Sequence, residues 1–72
     1  MITFFIKTIN DHAYSSIIEN LISRSVTFSK NIENGMYNIE IKGYPEDFII
    51  FSSLVDSINN RLGNCVQIFE TI

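Results

Sequence analysis

The chain has 72 residues, with five bases against eight acids and a net charge of −3. Surface scaling gives such a chain a folded area of roughly 4600 Å², with about 60% of its unfolded surface buried, which supports one modest core over residues 1–72. An apolar fraction of 46% excludes wholesale disorder.

The five bases, Lys7, Arg24, Lys30, Lys42 and Arg61, are scattered, so the basic footprint of a nucleic-acid binder is missing. Cys65 is the single cysteine and closes no intrachain disulfide; with His12 the single histidine, no zinc-finger spacing exists. The longest apolar run, Phe48 to Phe51, is far short of the roughly 18 residues of a membrane span. The first seven residues lack a basic start and a small-residue cleavage site, so a cytoplasmic location is expected.

Ile2, Phe4 and Ile6 alternate with Thr3, Phe5 and Lys7, the period of two that marks a strand. Asn10 and Asp11 are capping residues for a helix from Asp11 or His12 to Ser23. Tyr14, Ile17, Ile18, Leu21 and Ile22 form its apolar stripe. Asn34-Gly35 then predicts a type I′ turn. With a two-residue turn, Glu33 faces Met36, Ile32 faces Tyr37, Lys30 faces Ile39, Phe28 faces Ile41 and Val26 faces Gly43. This register separates an apolar from a polar face, and a one-residue slip destroys the separation.

Pro45 suits the first turn of a second helix, where its missing N–H costs nothing, and Glu46 and Asp47 suit the positive end of its dipole. Phe48, Phe51, Val55, Ile58 and Leu62 make its buried stripe, widened by Leu54, and Gly63 stops it. A last strand runs from Cys65 or Val66 to Thr71, with Val66, Ile68 and Ile72 inward and Cys65, Gln67 and Phe69 outward. The order β-α-β-β-α-β with right-handed crossovers predicts an α+β, ferredoxin-like domain. Its four-stranded antiparallel sheet carries two helices on one face.

The other sheet face is open. Phe5, Met36 and Phe69 fall on it among Thr3, Lys7, Asn38, Glu40 and Lys42, an apolar patch suited to a homodimer or another protein partner. Many RNA-recognition domains share this element order and stack bases on aromatics of the two central strands. Phe5 occupies a comparable place, but the third strand, Met36 to Lys42, has no outward aromatic and no basic-Gly-aromatic start. The likeness is therefore one of fold, which hosts many functions. Small amino-acid-sensing domains share the topology too, but no glycine lies in the first strand–helix connection.

Residues able to carry chemistry are few. His12 beside Asp11 is an acid–imidazole pair in sequence, and Ser15 and Ser16 lie close by without a nucleophile context. Asp47 and Asp56 are nine apart and make no i,i+4 metal pair. Cys65 lacks a Cys-x-x-Cys partner and reads as a half-buried small apolar residue. Tyr14 and Tyr44 each adjoin a helix start, and with Asn10, Asp11 and His12 they outline a possible small-ligand pocket.

The expectation is a non-enzymatic protein-interaction or regulatory module that self-associates through its open sheet face. It needs no cofactor and no metal, and neither a membrane nor a nucleic acid is its partner. The alternatives are a small-ligand-sensing regulatory domain and a compact acidic inhibitor of a basic protein.

Overall fold

The computed structural model describes residues 1–71. The elements are β1 (Ile2–Thr8), α1 (Asp11–Ser23), β2 (Thr27–Glu33), β3 (Met36–Gly43), α2 (Pro45–Leu62) and β4 (Val66–Glu70). The sheet is antiparallel throughout, in the order β2-β3-β1-β4. This is the ferredoxin-like α+β arrangement, and its surface of 4642 Å² agrees with the scaling expectation.

Turn chemistry sets the hairpin. Asn34 and Gly35 both take positive φ, 53° and 78°, as a I′ turn requires. All pairs from Glu33↔Met36 to Thr27↔Lys42 follow in the expected register. The Val26–Gly43 pair is absent from that register: Ser25 turns at φ 57° and the Val26 N–H is already spent on the Leu21 carbonyl. Val26 still packs against the core from the loop.

Asn10 caps α1 by accepting from the Ala13 N–H at 2.9 Å. At α2 the Asp47 carboxylate accepts from the Tyr44 N–H at 2.8 Å, one turn ahead of it. Gly43 makes room for this contact, since a Cβ there would lie 2.6 Å from Asp47 Oδ2. Gly63, at φ 84°, ends α2.

Phe4, Ile6, Ile39 and Ile41 of the sheet meet Ala13, Ile17 and Leu21 of α1 and Phe51, Val55 and Ile58 of α2, with Val66 closing the β4 side. Two stripe residues depart from expectation. Ile22 is 64% exposed because each i+4 step rotates about 40° around a helix, so the row Tyr14, Ile18, Ile22 turns progressively off the core. Ala13, small enough for close approach, takes the buried place instead. Leu62 lies in the last turn of α2 and is 43% exposed. The expected inward place of Ile72 lies outside the described residues.

Among the described residues, no helix is long and apolar enough to cross a membrane.

Candidate functional site

The open face follows from the strand registers. Pairing Phe5 with both Glu40 and Phe69 sets one row across it, and Lys7 with Asn38 and Gln67 sets the next. In β4, Val66 is buried and Ile68 packs against the core, which leaves Gln67 and Phe69 on the open side. Phe5 and Phe69 stack there with ring centroids 5.6 Å apart and planes 23° apart. The Lys7 ammonium lies 5.4 Å from the Phe69 ring centroid, a cation–π distance.

Met36 does not touch this stack. It sits two rows towards the hairpin tip, roughly 14 Å along the strands, with Lys7 and Asn38 in the row between. What unites the three residues is a shallow concavity of about 580 Å³, lined by Phe5, Lys7, Glu33, Met36, Asn38 and Phe69 and closed by Asn34 of the turn. The floor is a stacked aromatic pair at one end and a thioether at the other, with amides and opposite charges around them.

The second group of sequence candidates is split. β1 runs from Ile2, opposite Gly43, to Thr8, opposite Tyr37. Asn10, Asp11, His12 and Tyr14 therefore follow the Thr8 end of the sheet, and Tyr44 follows the Gly43 end, roughly 20 Å away along the strands. The fold does not bring Tyr44 to the others. Asn10 is occupied as a helix cap, and Tyr44, 60% exposed, stands before α2. His12 borders a separate groove between the helices with Ser16, Arg61 and Leu62.

The ring that does meet Tyr14 belongs to Tyr37. Their rings stack with centroids 3.9 Å apart and planes 14° from parallel, and the Tyr37 hydroxyl donates to Asp11 Oδ1 at 2.6 Å. That hydrogen bond, aided by burial and the Asp11 charge, holds the Tyr37 pKa above its ordinary 10.0. The neutral phenol is thus the form the fold favours. Its contribution is complete below the unfolded pKa of about 10 and is lost as pH rises through the higher folded value. Ultraviolet titration should find Tyr37 ionising later than a free tyrosine, and Asp11→Asn should bring it back towards 10.0. An unchanged titration in Asp11→Asn would show that the carboxylate is not the cause.

Two polar residues with no sequence signal organise the β4 end. Thr8 is buried; its hydroxyl donates to the Cys65 carbonyl at 2.8 Å and accepts from the Asn10 N–H at 3.0 Å. Asn59 of α2 accepts from the Cys65 and Val66 N–H groups at 3.0 and 2.9 Å and donates to the Val66 carbonyl at 3.0 Å. The side-chain amide serves Val66 as the backbone of a neighbouring strand would. Cys65, half-buried, has a free thiol.

Among the described residues, no group of three or more His, Cys, Asp or Glu side chains is placed to hold a metal ion. No protein-family model matches the chain, and no curated protein does either.

Proposed function

We propose that this domain is a non-enzymatic interaction module of the cytoplasm that associates with a second copy of itself through the open sheet face. The observation that carries the reading is the Phe5–Phe69 stack, with Phe69 41% exposed, on the floor of the open-face concavity. Aromatics at the centre of a polar-rimmed patch are the usual anchors of protein interfaces.

Charge favours a like partner. The open face carries Lys7, Lys42, Glu33 and Glu40, two of each sign, so the whole net charge of −3 resides on the helix-bearing side and the edges. Two such faces meet without net repulsion, whereas two helix-bearing sides would oppose like charge. The single free thiol of Cys65 suits a reducing compartment.

Burying each phenylalanine contributes about 1.5–3 kcal/mol in transfer terms before the cost of lost subunit freedom. Phe5→Glu should therefore return the assembly to the 8.3 kDa monomer while the circular dichroism stays that of the wild type. Light scattering reads the mass. A wild-type chain that stays at 8.3 kDa up to about 1 mM rejects self-association, and a variant of unchanged mass rejects this face.

A further inference from the structure

The two edges of the sheet are finished differently. On β4 the Thr71 N–H donates to the Thr3 carbonyl, so alternate residues pair with β1 and the backbone groups of Val66, Ile68 and Glu70 point outward. Asn59 occupies both groups of Val66, which closes the start of that edge. On β2 the tight turn makes Glu33–Met36 a hydrogen-bonded pair, which turns the N–H and C=O groups of Phe28, Lys30 and Ile32 outward. β2 is seven residues long and exposed at every position except Phe28.

The margin beside β2 is apolar as well as open. Tyr14 stacks on Tyr37 and lies near Lys30, which places the Tyr14, Ile18, Ile22 row of α1 on the β2 side of the helix. Ile22 is 64% exposed and Ile32 is 65% exposed. A strand added to β2 would set its helix-side residues against Phe28, Lys30 and Ile32, under that row. Lys30 lies in the middle, its ammonium 5.8 Å from the Tyr14 ring centroid.

We infer that the β2 edge takes an extended peptide segment as a fifth, antiparallel strand, one carrying an acidic residue flanked two positions away on each side by β-branched apolar residues. Backbone pairing at an exposed edge supplies affinity, and alternate side chains supply specificity. Lys30 selects the centre: an acid opposite it gains a cross-strand ion pair, whereas a base is repelled. The same lysine disfavours a second copy, because symmetric pairing over all seven residues sets Lys30 against its own counterpart. This surface is on the opposite side of the sheet from the Phe5–Phe69 stack, and the inference does not rest on self-association.

The probe is the capped heptapeptide Thr-Val-Thr-Glu-Thr-Val-Thr, titrated into the full chain and followed by amide hydrogen exchange and NMR. At about 1 mM peptide, exchange at the Phe28, Lys30 and Ile32 amides should slow about tenfold, with β4 unchanged. A peptide with lysine at the centre should bind about tenfold more weakly, and Lys30→Glu should reverse that preference. The inference is overturned by unchanged exchange at the three amides, by protection that falls on β4, or by binding indifferent to the central charge. Phe5→Glu, tested alongside, should leave peptide binding intact.

Discussion

Phe4→Ala should lower the unfolding free energy by about 3–5 kcal/mol, while Phe5→Ala, one residue along, should cost less than half as much. Phe4 is fully buried and meets the Phe48 ring edge-on at 5.3 Å, with Phe51 at 6.4 Å. Truncation removes that aromatic contact and leaves a cavity between β1 and α2. A domain of this length has a total stability of about 4–11 kcal/mol, so the Phe4 variant should stand near the edge of unfolding at room temperature. Phe5 is half-buried on the other face, against Phe69 alone among the aromatics. Urea denaturation of both variants gives the comparison. Equal losses would mean that the two faces of β1 are not distinguished as the registers require.

Asn59→Ala should cost about 2 kcal/mol, a large effect for a polar residue on a helix. The alanine leaves the Cys65 N–H and both backbone groups of Val66 without their partner, at a place where Val66 is buried. Its neighbour Asn60, replaced in the same way, should fall within about 0.5 kcal/mol, the usual range for surface changes. Thermal or urea unfolding separates the two. A loss below about 0.5 kcal/mol at Asn59 would show that water replaces the amide there at no cost.

The hairpin was legible because two independent signals agree: Asn34-Gly35 names the turn, and the alternation around it names the register. The contact between Phe5 and Phe69 was legible for a similar reason, since period two in each strand and the topology suffice to put both outward on adjacent strands. The Tyr14–Tyr37–Asp11 cluster was not. It joins a helix start to a strand 26 residues later, and the rotation of α1 over the sheet decides whether Tyr37 meets Asp11. Asn59 left no pattern either, because its partners are backbone groups, which every residue carries. On α1 the i, i+3, i+4 spacing of large apolar residues takes in Ile22, whereas the helix buries Ala13 and leaves Ile22 exposed, because close packing of helix on sheet rewards the small residue. Tyr14 and Tyr44 both stand at helix starts, but a β-α-β-β-α-β chain begins its two helices at opposite ends of the sheet.

The central place of β1 has a consequence for the order in which the fold is completed. β1 is the earliest of the six elements and β4 the latest, and Phe5 waits for Phe69, 64 positions later, before its second edge is covered. The β2–β3 hairpin closes over a two-residue turn and can form while the rest of the chain is loose, but β1 has no local partner at all. During synthesis, which delivers the chain from its N-terminus, the most apolar strand is exposed on one edge until β4 arrives. Folding speed should accordingly be governed by how soon β1 and β4 meet, and any shortening that removes Phe69 should convert the middle of the sheet into a sticky border.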